Sequence, residues 1–171
     1  MTPAAEAIWS SLEFRKPMML RNVEPLSEEL LRWQPAPDMN SIAWQLWYIA
    51  EVEDNWIRTL VTQEPPRFPF DVPIRKATPQ QIPPKQLLLD YLSEIRAVTR
   101  HRLEVTTDIG LEHVVEDPDF GTLTVREVWA GIVTSFAWHA GQIALTAKLA
   151  PGSPVTTMQF NYWRKSVISE Q

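Results

Sequence analysis

Apolar side chains recur at helical spacing in four segments of this 171-residue chain, and this periodicity is the strongest constraint on its fold. In residues 40–62 the apolar positions step by three and four: Ile42, Leu46, Ile49, Val52, Trp56 and Leu60. An α-helix has 3.6 residues per turn, so these side chains form one face that must pack against other helices. Similar patterns in residues 4–23, 85–107 and 122–150 predict three more long helices. The sequence therefore predicts an all-α four-helix bundle.

The segments between the helices differ in character. Residues 64–84 contain seven of the 15 prolines, which predicts an extended connection without a regular element between the second and third helices. Because it is long for a passive linker, we expect it to fold over one end of the bundle. Residues 27–31 predict a short helix, residues 108–122 a loop, and Pro17 a kink or break in the first helix. The length suits one domain, residues 1–171.

Composition excludes several classes of protein. The net charge is −5 and no basic stripe occurs, which argues against nucleic-acid binding. The absence of cysteine excludes disulfides and thiolate metal sites. No run of about 18 apolar residues is present, so we expect no membrane span. The first residues lack the basic and apolar regions of a signal peptide, and we expect a cytoplasmic protein.

One histidine, His139, is a candidate functional residue because of its position on the last helix. His139 falls in the middle of the apolar face of the last helix, with Ser135 and Gln142 at the edge of that face. A histidine so placed must be hydrogen-bonded, bound to a metal or next to a cavity. Its alternative role is that of a core histidine whose hydrogen bonds are all satisfied.

The second helix carries a polar and aromatic stripe beside its apolar face, formed by Trp44, Tyr48, Glu51 and Asn55. This stripe either borders a cavity that faces the last helix or is a solvated surface. The neighbouring acids Glu53 and Asp54 are expected to face solvent, as acidic pairs on helices commonly do.

Two segments resemble a known family. The sequence Trp138-His139-Ala140-Gly141-Gln142-Ile143 is similar to the end of the last helix of DinB-like proteins, and residues 41–53 are similar to their second helix. The similarity covers most of residues 26–164. This superfamily includes thiol-dependent S-transferases, and it usually holds a divalent metal with three histidines. The resemblance implies that the ligand positions here are Tyr48, Ser135 and His139.

Only one of the three implied ligand positions holds a histidine, and this difference from the family alters the expected function. A zinc or nickel site generally needs three imidazole or carboxylate ligands, whereas serine and tyrosine hydroxyls bind such metals weakly. We therefore expect no metal cofactor; if a metal binds, zinc or nickel would be held by His139 with Glu51. The favoured hypothesis is a bundle without the metal that keeps a small polar pocket formed by Tyr48, Ser135 and His139. This pocket either binds a small polar ligand without catalysis or is a purely structural polar plug.

Two alternatives remain open. One is a metal-dependent enzyme of the S-transferase type with a rebuilt site. The other is a structural or interaction module that pairs as a homodimer through exposed tryptophans, for which the candidates are Trp9, Trp44, Trp47 and Trp163. The aromatic segment 160–165 is expected to pack back onto the bundle.

Overall fold

The computed structural model describes residues 1–155 and contains a bundle of four long helices. These are α1 (Pro3–Val23), α3 (Ile42–Trp56), α4 (Lys85–Val105) and α6 (Val125–Leu149), with the short helices α2 (Glu28–Arg32) and α5 (Asp108–Leu111) between them. Helix α1 packs against α6, while α3 packs against both α4 and α6. The predicted all-α bundle is confirmed. No helix in the described part of the chain is long and apolar enough to cross a membrane.

Hydroxyl side chains fix the starts of three long helices. Thr2, Ser41 and Thr124 each accept a hydrogen bond from the backbone N–H three residues later, which satisfies one of the free donors at a helix start. At the start of α6 the Thr124 N–H also donates a hydrogen bond to the Glu127 carboxylate, so the two residues form a capping box. Helix α1 runs unbroken through Pro17, which is exposed, so the helix is not split there.

The end of the second long helix and two connecting segments differ from the predicted structure. Helix α3 gives way at Trp56 to a π-helical turn, Ile57–Val61, and the proline-rich connection contains two 3-10 turns, Ile74–Lys76 and Pro79–Gln81. The expected loop before α6 contains an antiparallel hairpin of β1 (Val114–Asp117) and β2 (Gly121–Thr124). The predictions of a plain loop and of an irregular connection are therefore wrong, because elements of three to five residues are too short to show periodicity.

The acids of α3 are the largest departure from the sequence prediction. Glu53 and Asp54 are 1% and 3% exposed, so the expectation that they face solvent is wrong. Arg96 donates to Glu53 at 3.0 Å, and the Thr99 hydroxyl donates to its other oxygen. These partners come from α4, more than 40 residues away, and a sequence pattern cannot reveal them.

The proline-rich connection runs alongside α3 rather than over one end of the bundle. The backbone N–H of Arg67 donates to the Asn55 side chain at 2.7 Å, and the Arg67 guanidinium donates to Asp54 at 2.9 Å. Further along, the Ile74 N–H donates to the Glu51 carboxylate at 3.0 Å. Near its end, the guanidinium of Arg32 on α2 donates to the Ile82 carbonyl at 2.8 Å. The connection is thus anchored at several points.

Helices α3 and α6 approach closely at Gly131. A Cβ atom added there would lie 2.4 Å from the Trp56 ring, far inside van der Waals contact. Gly141, nearly three turns later on the same helix, has no heavy atom within 4 Å of an added Cβ. The two glycines therefore differ in packing while sharing a helical backbone.

We predict opposite effects for alanine at these two positions. Gly131→Ala should lower the free energy of unfolding by about 1–3 kcal/mol, because Trp56 must move. Gly141→Ala should raise it by roughly 0.5–1 kcal/mol, the gain in helix propensity. Urea denaturation of both variants measures the difference. Equal effects would show that α6 does not pack against Trp56 as described.

Candidate functional site

Tyr48 of α3 and His139 of α6 contact each other where the two helices pack together, and with Trp44 they define what is called the α3–α6 cleft. Their ring centres are 4.8 Å apart and their planes are tilted by 55°. Trp44, one turn before Tyr48, stacks on the tyrosine ring with centres 4.9 Å apart. All three side chains are half-buried. The structure thus brings together three of the residues singled out in the sequence, and the polar stripe of α3 faces α6 at this level.

Arg75 completes this cluster and was not anticipated from the sequence. Its guanidinium donates to the Tyr48 hydroxyl at 3.1 Å and lies 5.7 Å from the ring centre. Arg75 belongs to the 3-10 turn of the proline-rich connection, 27 residues beyond Tyr48. No sequence signal marks it, because its position depends on how the connection folds along α3.

Glu51 explains why Arg75 lies there. Its buried carboxylate accepts hydrogen bonds from the Trp47 indole at 2.9 Å and from the Ile74 N–H at 3.0 Å. Burial raises the pKa of Glu51, and these two donors oppose the rise. Glu51 therefore holds the residue before Arg75. Asn55 also anchors this connection, because its side chain accepts a hydrogen bond from the Arg67 N–H.

His139 has a ring nitrogen whose hydrogen bonding is not satisfied within the described residues. Its Nδ1 is buried and has no hydrogen-bond partner within residues 1–155. Burial lowers the pKa of His139, and a side-chain hydrogen bond with Gln142 partly offsets this effect. The imidazole is consequently neutral at pH 7, and the hydrogen-bonding capacity of its buried Nδ1 is unused within residues 1–155. Ser135 lies one turn earlier on α6 and is half-buried.

The side chains at the three positions implied by the family do not fit a three-imidazole metal site. Tyr48, Ser135 and His139 supply a single imidazole, and the Tyr48 hydroxyl already accepts a bond from the cationic Arg75. Among residues 1–155, no cluster of three or more histidine, cysteine or acidic side chains is arranged to hold a metal ion. The chemistry of this cleft, as far as its described residues define it, is that of hydrogen bonding and aromatic contact.

A cavity of about 190 Å³ adjoins the aromatic pair. It lies between α2, the start of α3 and the end of the proline-rich connection, and its lining includes Arg32, Ser41, Trp44 and Ile82. Because Trp44 also stacks on Tyr48, one side chain is shared by the cavity and the cleft.

Comparison with known proteins agrees with the helical architecture. The sequence profile of the DinB superfamily matches residues 12–146, and the chain belongs to this superfamily. A solved structure, a conserved protein from Enterococcus faecalis, is similar in fold, with a TM-score of 0.72 and 21% sequence identity. The alignment covers 85% of this chain and 95% of that protein. No curated protein matches the chain significantly.

The tryptophans predicted to be exposed have different environments. Trp47 is completely buried, so its proposed place on a dimer surface is wrong, while Trp9 and Trp44 are half-buried. Trp163 and the segment 160–165 lie outside the described residues. Trp138, which was not among the tryptophans predicted to be exposed, is 67% exposed. Leu145 and Leu149 are exposed on the same side of α6. The homodimer stays a prediction.

The lowered pKa of His139 predicts a dependence of stability on pH. The unfolded chain binds a proton at this histidine near its usual pKa of 6.5, while the folded chain binds it only at lower pH. The contribution of neutral His139 to stability is therefore present above pH 6.5 and is lost as the pH falls through the window below it. His139→Gln should show a smaller loss of unfolding free energy between pH 7 and pH 5.

Urea denaturation at both pH values measures this difference, and an NMR titration of the His139 ring protons locates the pKa directly. A titration midpoint at or above 6.5 would contradict the described burial.

Proposed function

We propose that this DinB-superfamily protein binds a small polar ligand in the cleft between α3 and α6, without the three-histidine metal site and without transferase chemistry. The observation that carries the proposal is the buried Nδ1 of His139, which has no hydrogen-bond partner within residues 1–155. A buried polar atom without a partner destabilises a protein by about 1–3 kcal/mol. A ligand that supplies the missing hydrogen bond recovers part of that free energy.

The neighbouring side chains suit recognition of a small molecule. Trp44 and Tyr48 form a stacked aromatic wall, which offers apolar surface with little loss of side-chain entropy. Gln142 and Ser135 stand within one turn of His139 on α6 and can donate or accept hydrogen bonds. A few polar groups placed against aromatic walls are typical of small-molecule sites.

The contacts of Glu51 weigh against a rebuilt metal site. Its carboxylate is occupied by the Trp47 indole and the Ile74 N–H, so ligation of a metal beside His139 would leave both donors unsatisfied. Without a metal, an S-transferase reaction would depend on His139 as the general base. General-base catalysis typically raises a reaction rate by about 10²–10⁴-fold. The alternative of a metal-dependent transferase is therefore the weaker proposal. We further infer from the net charge of −5 that the protein does not bind nucleic acid.

Binding of neutral polar fragments tests the proposed site. We expect small amides and polyols to shift the NMR signals of the Trp44 indole N–H and the His139 ring at millimolar concentrations, the affinity usual for fragments of a few atoms. His139→Leu should abolish the shift of the indole signal, because the polar partner is lost.

The matched control is His101→Leu, which removes an exposed histidine of α4. It should bind the same fragments as the unmodified protein. Fragments that bind His139→Leu equally well, or that shift signals only far from Trp44, would disprove a binding site in this cleft.

A further inference from the structure

Arg75 differs from most of the arginines among residues 1–155. Seven other arginines form ion pairs with carboxylates: Arg32, Arg58, Arg67, Arg96, Arg100, Arg102 and Arg126. Arg75 forms no ion pair with any carboxylate of residues 1–155, and its hydrogen bond goes to the Tyr48 hydroxyl instead. A guanidinium has five N–H donors, so most of its capacity is unused in the described structure.

This arginine is held in place at its backbone. The preceding residue, Ile74, is 2% exposed, and its N–H is bound by the buried Glu51 carboxylate at 3.0 Å. The turn Ile74–Lys76 therefore presents Arg75 from a fixed point, while its side chain remains exposed to an incoming molecule. A cationic group fixed in this way loses less conformational entropy on binding than an ordinary surface arginine.

Tyr48 links the cation to the unsatisfied histidine. Arg75 contacts the hydroxyl of Tyr48, and His139 contacts its ring at a centre-to-centre distance of 4.8 Å. The cation and the neutral imidazole thus both contact Tyr48, and a small molecule bound beside this tyrosine is within reach of both groups.

Two acids of the described chain, Glu51 and Asp119, attract Arg75. Glu51 is occupied by the Trp47 indole and Ile74, and Asp119 lies near enough to attract Arg75 without forming an ion pair with it. The positive charge of Arg75 is thus not neutralised by direct contact within the described chain.

We propose that the ligand of this cleft is a small anion, a molecule whose carboxylate or phosphate group is bound by the guanidinium of Arg75 while a polar group meets His139. This inference rests on the proposed binding site and adds the chemical class of its ligand. The planar fork of arginine matches two oxygens of a carboxylate or phosphate, and such charge-assisted bonds are among the strongest hydrogen bonds in proteins.

The test compares two anions with a neutral probe that has the shape of one of them. Succinate, inorganic phosphate and the neutral analogue succinamide are titrated at constant ionic strength, and the NMR shifts of the Trp44 indole and the His139 ring are followed. The variants are Arg75→Gln and, as the matched control, Arg126→Gln, which removes an exposed arginine of α6 that pairs with Glu112. Unchanged spectra elsewhere confirm that both variants fold.

We expect succinate or phosphate to bind at millimolar concentrations, with binding weakened about tenfold or more by Arg75→Gln and unchanged by Arg126→Gln. Succinamide should bind more weakly than succinate. Equal affinity for the charged and neutral probes, equal binding by Arg75→Gln, or no response to either anion would overturn the inference. Neutral fragments that still bind at His139 in those cases would leave the proposed site intact, whereas failure of both classes of probe would disprove the site itself.

Discussion

Three buried carboxylates on α3 organise the structure around them. Glu51, Glu53 and Asp54 are all under 7% exposed, and a buried charge is strongly destabilising unless it is paired and hydrogen-bonded. Each acid therefore needs its partners in place. Glu53 binds Arg96 of α4, while Asp54 accepts bonds from Tyr91 of α4 and from the guanidinium of Arg67 in the connection. One helix thus fixes the position of both its neighbour and the long segment between them.

The cleft follows from that arrangement together with one close helix contact. Glu51 fixes Ile74, and this contact brings Arg75 to the hydroxyl of Tyr48. On the other side, the missing side chain of Gly131 lets α6 approach Trp56, so that His139, just over two turns later, meets Tyr48. The residues of the proposed site are therefore positioned by contacts that lie outside the cleft. Substitutions at Glu51 or Gly131 are expected to disturb the site without touching a ligand.

The sequence predicted those parts of the structure that depend on local periodicity. Helical spacing located the four long helices, and the placement of His139 and Tyr48 on their helices, with the family resemblance, pointed to the two residues that meet. The hairpin before α6 was missed because its strands have four residues each. Arg75 and the burial of Glu53 were missed for another reason: both depend on contacts between segments far apart in the chain, for which a single sequence carries no local signal.

We propose that this site holds no metal, because Tyr48 and Ser135 stand where the family resemblance implies histidines. The Tyr48 ring contacts the imidazole of His139, and its hydroxyl accepts a hydrogen bond from Arg75. Measurement of the metal content per chain tests this account most directly. The protein is grown with added zinc and nickel, purified without a histidine tag, and analysed by plasma mass spectrometry beside His139→Ala. The account predicts metal far below one equivalent per chain in both proteins. Near-stoichiometric metal that disappears in His139→Ala would contradict it.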